Sequence, residues 1–227
     1  AGFKNIDDFF DSAYRDNVLF ELDLHLREKA LKKFLSIPLS FGIYMFYNYD
    51  PRVLEMPDYQ YGCTEKLLKK NSLPSTVICY ELNEKNKFTV FKDFRVLMER
   101  FKKRGVKVAI DDFGAGFASF QLLYHSEPDI LKVDRFLIQD IHRDQKKHIF
   151  CSHIVSLAKQ LGITTIGEGV ETEEEFKACK KIGFDLIQGY YIQRPVESVE
   201  QIKPIYTEIL PWSKENDEIR ENMVTDC

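Results

Sequence analysis

The chain has 227 residues, of which 44% are hydrophobic and 30% are charged, and its formal net charge is −4. This is ordinary globular composition, and the length suits one large α/β domain. The acidic balance gives no reason to expect a nucleic-acid polymer or an anionic membrane as a partner. No apolar run approaches the roughly 20 residues that a membrane span needs, so we expect a cytoplasmic domain without membrane contact of its own.

The predicted elements alternate along the chain. Apolar periodicity indicates one N-terminal helix over roughly 6–34, and helical segments then separate short apolar runs. Such alternation favours a parallel sheet covered by helices. The predicted strands occupy 41–47, 76–81, 106–111, 129–133, 163–167 and 184–187. We place the folded domain at 1–210, followed by a polar tail at 211–227.

Three glycines follow predicted helices and precede predicted strands: Gly105, Gly162 and Gly183. This position suits a left-handed residue that closes a helix. Thr172 and Glu175 have the spacing of a capping box, which predicts that a helix begins there.

The cysteines are odd in number and form no CxxC pair; they are Cys63, Cys79, Cys151, Cys179 and Cys227. Two of them fall at apolar positions of predicted elements. We therefore expect reduced thiols rather than disulfides or a zinc site.

The stretch VAIDDFGAGFASF ends an apolar strand in two adjacent carboxylates, Asp111 and Asp112. Every other predicted strand also delivers a polar residue at or just past its C-terminal end. In a parallel α/β barrel these ends converge on one rim, where active sites lie. A single such residue is more often a helix N-cap, but Lys132 and Gln188 cap nothing evident. The set is Asn48, Glu81, Asp111, Asp112, Lys132, Glu168 and Gln188.

Carboxylate and amide oxygens without sulfur or imidazole suit Mg²⁺ or Mn²⁺. The adjacent aspartates are understandable if they serve two ions, which would neutralise them. Two-metal sites are typical of phosphoryl displacement. A cluster of carboxylates with a lysine would also suit an unrelated α/β-barrel lyase or enolase-like metal enzyme.

Several stretches together resemble EAL domains, the cyclic-di-GMP phosphodiesterases. DDFGAGFASFQLLYHSEPDILKVDR and TIGEGVETEEEFKACKKIGFDLIQGYYIQRP follow the family's two longest motifs. VICYELNE resembles its IxxEITE strand, YNYDP its INLSP strand, and FFDSAYRDNVLFELDLHL its opening helix. The resemblance covers about residues 6 to 200. It implies a TIM-type barrel that hydrolyses cyclic di-GMP to linear pGpG with two Mg²⁺ or Mn²⁺ ions.

The resemblance also implies metal ligands, position by position. Asn48, Glu81 and Asp111 would hold the first ion. Asp111 and Asp112 would hold the second, and Glu168 would contact a metal or its water.

Other roles follow from the same resemblance. Lys132 would polarise the attacking water or stabilise charge on the phosphate, and Gln188 would orient a water. Glu171 matches the glutamate that anchors the loop after the paired aspartates, a loop linked in the family to dimerisation and the metal site. Arg194, in the closing motif, is a candidate substrate contact, although packing at the barrel rim would equally explain it with Pro195.

The sequence departs from the family in one important respect. The Glu-Ala-Leu strand, whose glutamate is a metal ligand, is not in these residues, and six predicted strands fall short of the eight in a closed barrel. Either a longer parent protein supplies the missing strands, or the domain is degenerate and acts as a cyclic-di-GMP receptor or interaction module. Among smaller departures, Asn83 replaces a threonine.

The resemblance implies further partners. Homodimers are usual in the family, and an upstream sensory or GGDEF module would be a common companion. An upstream membrane region would then tether an otherwise cytoplasmic domain. An open barrel would also expose strand edges, so this fragment alone is expected to be less stable or to pair with another copy.

Overall fold

The computed structural model describes residues 3–37, 43–83, 91–116 and 119–202, so the predicted tail at 211–227 lies outside the described residues. The strands are β1 (Met45–Asn48), β2 (Ile78–Asn83), β3 (Lys107–Phe113), β4 (Ile130–Val133), β5 (Thr164–Gly167) and β6 (Leu186–Ile187). The helices are α1 (Ile6–Arg15), α2 (Leu19–Leu35), α3 (Cys63–Lys70), α4 (Phe91–Lys103), α5 (Ser119–Ser126), α6 (Arg135–Ile138), α7 (Gln145–Gln160) and α8 (Glu173–Ile182). Within these ranges, no helix is long and apolar enough to cross a membrane.

The strands form one sheet whose spatial order follows the chain, β1-β2-β3-β4-β5-β6, and every neighbouring pair is parallel. Sequential parallel strands with helical crossovers are the architecture of a TIM-type barrel. The described strands make up the greater part of such a barrel, as the sequence predicts. Because all strands run the same way, their C-terminal ends lie along one edge.

The two faces of the sheet differ because side chains alternate along each strand. On β2, Ile78, Tyr80 and Leu82 pack into the large core shared with the helices. Cys79 points to the opposite, inner face. That face has a small apolar cluster, formed by Cys79, Ala109, Ile130 and Ile166 with Phe46 against it. A polar site residue follows each of these residues two positions later in the chain. The alternation of side chains along each strand therefore places both the apolar cluster and the polar residues of the rim on the inner face.

Local signals in the sequence are confirmed. Gly105, Gly162 and Gly183 have φ of 70°, 71° and 95°, the left-handed conformation that glycine adopts most easily. The capping box of Thr172 and Glu175 is present at the start of α8. The four described cysteines are free, and Cys79, Cys151 and Cys179 are buried.

The prediction of one continuous N-terminal helix over 6–34 is wrong. Asn17 has φ 57°, and the amide of Val18 donates to the carbonyl of Ala13, which closes α1 before α2 begins. Asparagine tolerates this left-handed conformation, so the helix ends without a glycine. The apolar periodicity resumes after the turn and conceals it.

Two strand ends also differ from the prediction. Pairing between β2 and β3 continues through Asn83 and Asp111, so β2 extends to Asn83 and β3 to Phe113, each two residues beyond the predicted ends at 81 and 111. The last strand is shorter than predicted, with only two residues. Asn48, the last residue of β1, is paired in register with Glu81.

A buried ion pair fixes α2 to the sheet. Asp23 and Arg27, one turn apart, contact each other and are almost fully buried. Arg27 also donates to Thr64, while the Tyr47 hydroxyl donates to the Asp23 carboxylate at 3.1 Å. The guanidinium lies over the rings of Tyr47 and Tyr80, each 5.3 Å from it. This network supports β1 directly before Asn48.

Candidate metal and active site

Lys132 is the centre of the polar cluster at the rim. It projects from β4 onto the inner face, and its side chain is only 5% exposed. Its Nζ contacts the carboxylate of Glu81 and lies 2.7 Å from Asp111 Oδ1 and 2.7 Å from Glu168 Oε1. Residues 51 and 36 positions away from it in the chain therefore meet at one ammonium group. The sequence prediction that Glu81, Asp111, Lys132 and Glu168 share one rim is confirmed.

Asp112 joins this group through an irregularity in β3. Three residue steps on β3, from Ile110 to Phe113, face two steps on β4, from Leu131 to Val133. The extra residue is a β-bulge, and Asp112 has φ 55°. In a regular strand, Asp111 and Asp112 would point to opposite faces. The bulge brings both carboxylates to the inner face and returns Phe113 to the core.

Three carboxylates stand close enough to hold a metal ion. Oxygen atoms of Asp111, Asp112 and Glu168 all lie within 4.8 Å of one another. With Glu81, four carboxylates face one lysine, so the cluster carries a formal excess of three negative charges when all are ionised. Divalent cations would balance that excess, and oxygen donors are what Mg²⁺ and Mn²⁺ prefer.

The pKa values in the cluster reflect its burial first and its neighbouring charges second. Burial raises the pKa of Glu168 to about 7, although Lys132 opposes the rise, and Asp111 adds to it. Burial likewise raises the pKa of Glu81, again against the effect of Lys132. For Lys132, burial alone would lower the pKa, but Glu81, Glu168 and Asp111 outweigh it and the pKa is raised. The lysine is therefore a permanent cation at neutral pH, and Glu168 exchanges its proton near neutrality.

Asn48 and Gln188 flank the cluster at the ends of β1 and β6, and both side chains are exposed. Asn48 is adjacent to Glu81 through the strand register. The backbone amide of Gln188 donates to the Gly167 carbonyl at 2.9 Å, and its backbone carbonyl accepts from the Val170 amide at 3.1 Å. These bonds place Gln188 beside the loop that follows Glu168.

The family model described as "EAL domain" matches residues 2–195. This chain belongs to the EAL domain family. Curated relatives from Escherichia coli (strain K12) include two that show the extent of the similarity. The probable cyclic di-GMP phosphodiesterase PdeN is 30% identical over 210 residues, which is 88% of this chain and 39% of PdeN. The cyclic di-GMP phosphodiesterase PdeF is 31% identical over 143 residues, 62% of this chain and 19% of PdeF. The chain thus spans well under half the length of these relatives.

Solved EAL structures are similar over most of the chain. Klebsiella pneumoniae BlrP1 in its manganese and cyclic-di-GMP complex at pH 6 has a TM-score of 0.75 and 32% identity, covering 86% of this chain and 49% of BlrP1. A standalone EAL protein from Vibrio cholerae O395, bound to cyclic di-GMP, has a TM-score of 0.74 and 29% identity over 83% of this chain and 78% of that protein. Both agree with the TIM-type fold.

In this EAL domain, Glu171 lies on the loop after β5. Its carboxylate is 2.9 Å from the Arg135 guanidinium on α6, and its amide donates to Glu175 at 2.9 Å. The Glu175 carboxylate also accepts from the amides of Thr172 and Asp140. Burial alone would raise the Glu175 pKa, but the amide hydrogen bonds outweigh it and lower the pKa. Glu175 therefore fixes the backbone on both sides of Glu171, and sequence analysis assigned it only a capping role.

Arg194 lies on the chain after β6, exposed, with its guanidinium 4.4 Å from the centre of the Tyr190 ring. It lies six positions after Gln188, and its contact with substrate stays a prediction.

The sequence missed one contributor to the site. Asn83 ends β2 on the same face as Glu81, and its Nδ2 donates to Asp112 Oδ2 at 2.6 Å. We noted Asn83 as a departure from the family threonine, and that departure was the available signal.

Proposed function

We propose that this EAL domain hydrolyses one phosphodiester bond of cyclic di-GMP to give linear pGpG, with two Mg²⁺ or Mn²⁺ ions as cofactors. The observation that carries the proposal is the meeting of Asp111, Asp112 and Glu168 beside Lys132 at one rim. Relatives named cyclic di-GMP phosphodiesterases support the substrate.

The donor set fits hard divalent cations. Asp111, Asp112 and Glu168 would hold them, with Glu81 and Asn48 completing the ligands from the neighbouring strands. Neutralising the surplus negative charge would also allow an anionic phosphate to approach this rim. When bound, such ions lower the pKa of water and stabilise charge on a phosphoryl group. A BlrP1 structure with manganese and cyclic di-GMP supports the metal class.

Lys132 has a role that follows from its charge. Because three carboxylates keep it protonated, it serves as a fixed cation rather than as a proton acceptor. It would stabilise the negative charge that develops on the phosphate, which is often the largest contribution to catalysis. Glu168, whose proton exchanges near neutrality, would accept a hydrogen bond from the attacking water.

The remaining roles concern water and substrate. Gln188, with an exposed side chain at the rim, would orient the attacking water. As the water oxygen bonds to phosphorus and gives up a proton to solvent, the bond to the 3′ oxygen breaks and that oxygen takes up a proton from solvent. Arg194 would contact a substrate phosphate, and Glu171 would anchor the loop after Asp112.

Chromatography of the reaction products tests this function. The full-length protein that carries this domain should convert cyclic di-GMP to pGpG in Mg²⁺ or Mn²⁺ and stop when EDTA is added. Asp111→Ala and Lys132→Ala should each reduce turnover by about a hundredfold or more, since single electrostatic contributors are worth this much. Lys107→Ala, which alters a partly exposed pair elsewhere on β3, is the control. Near-normal turnover in either site variant would refute the assigned roles.

The receptor alternative makes a different prediction in the same samples. Calorimetry would detect binding of cyclic di-GMP, while chromatography would find no linear product even with metal.

The proposal also includes homodimerisation and an attached sensory or GGDEF region. Curated relatives extend well beyond the matched part, which supports further modules. Sedimentation velocity that finds only monomers at micromolar concentration would contradict the dimer.

A further inference from the structure

Asn83 and Asp112 form a contact between neighbouring strands at the rim. Asn83 lies in register with Asp111, and the β3 bulge then places Asp112 within reach of it. The amide of Asn83 donates to Asp112 Oδ2 at 2.6 Å, and both side chains are half-buried. This bond engages one of the two carboxylate oxygens of Asp112.

Asp112 needs such a contact more than the other carboxylates do. A positive φ is uncommon for a residue with a side chain, and the register with β4 passes over Asp112. Its direction is therefore set by a local irregularity rather than by regular strand pairing. A hydrogen bond from the adjacent strand restricts the side chain to one direction.

The chemistry of the donor also matters. Lys132 brings a positive charge to Asp111, Glu81 and Glu168, which partly neutralises them. The amide of Asn83 is neutral, so it orients Asp112 without reducing its charge. Such a partner suits a ligand that must attract a divalent cation.

We infer that Asn83 is a positioning residue, which holds the Asp112 carboxylate in the direction needed to bind a divalent cation. The inference rests on the proposed function, because it requires a cation at this carboxylate. Hydrogen-bond partners of metal ligands typically contribute about 10- to 100-fold in affinity. The resembling strand of the family has threonine here, so the amide is a feature of this chain.

Titration with Mn²⁺, followed by the paramagnetic resonance signal of the free ion, tests the inference on the whole chain. Asn83→Ala should raise the dissociation constant for Mn²⁺ by about 10- to 100-fold. Asn71→Ala is the matched control, since Asn71 is also half-buried and donates one side-chain bond, at 2.7 Å to the Leu67 carbonyl, far from the rim. Without metal, the two variants should have similar melting temperatures. Asn83→Ser is a second route to the same measurement if the alanine variant does not fold.

An Asn83→Ala affinity within twofold of wild type would overturn the inference, as would an equal loss in Asn71→Ala. Product formation is scored separately. A wild-type protein that binds Mn²⁺ but makes no pGpG refutes the proposed reaction, while the comparison of dissociation constants still decides the role of Asn83. A wild-type protein that takes up no Mn²⁺ refutes both.

Discussion

Replacing Lys132 by methionine removes the ammonium group and keeps most of the side chain's length. Glu81, Asp111 and Glu168 then lose their shared cation in a buried place. Breaking a buried ion pair by removing one partner costs about 3–5 kcal/mol, because the remaining charge is left uncompensated. We expect a loss of this size in the free energy of unfolding at pH 8 without metal, a large share of the 5–15 kcal/mol that holds a typical domain.

The loss should depend on pH, and its sign follows from the carboxylates. The Lys132 pKa is raised, so the lysine stays charged between pH 5 and pH 8 and its own titration contributes nothing there. Glu168 has a pKa raised to about 7, so the folded state becomes less favourable as pH rises from its unfolded pKa, about 4.5, through 7. Without Lys132 that pKa rises further. At pH 5 Glu168 holds its proton and the loss should fall below about 2 kcal/mol, since each pKa unit is worth about 1.4 kcal/mol.

Urea unfolding followed by far-ultraviolet circular dichroism, in EDTA at pH 5 and pH 8, measures both values. Lys107→Met is the control, because its pair with Asp129 is 3.5 Å long and partly exposed and should contribute no more than about 1 kcal/mol. A Lys132→Met loss equal at the two pH values, or no larger than that of Lys107→Met at pH 8, would refute this account of the cluster.

Three further predictions concern the effect of metal, the loop after β5 and the close approach of Gly189 to Val170. Mn²⁺ should raise the melting temperature of Lys132→Met more than that of wild type, because the cation replaces the lost ammonium; equal shifts would contradict this. Glu175→Gln should lower the free energy of unfolding by about 1.5–3 kcal/mol at pH 7. Because the Glu175 pKa is lowered, this difference from wild type should shrink as pH falls below about 4.5. Urea unfolding at pH 7 and 3.5 measures it, with the exposed Glu174→Gln as the control. Gly189→Ala would place a Cβ against the Val170 backbone and should lower the free energy of unfolding by more than about 3 kcal/mol. Gly162→Ala, where there is open space but φ is 71°, should lower it by about 1 kcal/mol. Equal losses in thermal melting would show that the backbone relaxes where Gly189 approaches Val170.

Sequence patterns were enough for the fold and for the core of the site, for a definite physical reason. Parallel strands bring their C-terminal ends to one edge, so Glu81, Asp111, Lys132 and Glu168 could be placed together without any distance information. Glycines after helices and a capping box depend on local backbone rules and were equally readable.

What the sequence did not predict depends on contacts between distant residues or on backbone irregularity. The sequence DDFG does not predict the bulge that turns Asp112 to the same face as Asp111, because regular alternation places the two side chains on opposite faces. The Asn83 contact follows from that bulge. Asp23 and Arg27 have the spacing of an exposed helix pair, and only packing against Tyr47 and Tyr80 shows that they are buried.

The most direct test of the central claim is a crystal structure of the chain with Mn²⁺, using anomalous scattering to locate the ions. We predict two manganese peaks about 3.5–4 Å apart, the usual spacing of two-metal sites, in contact with Asp111, Asp112 and Glu168. Manganese peaks only at other surfaces, with these three carboxylates turned away from one another, would contradict the claim.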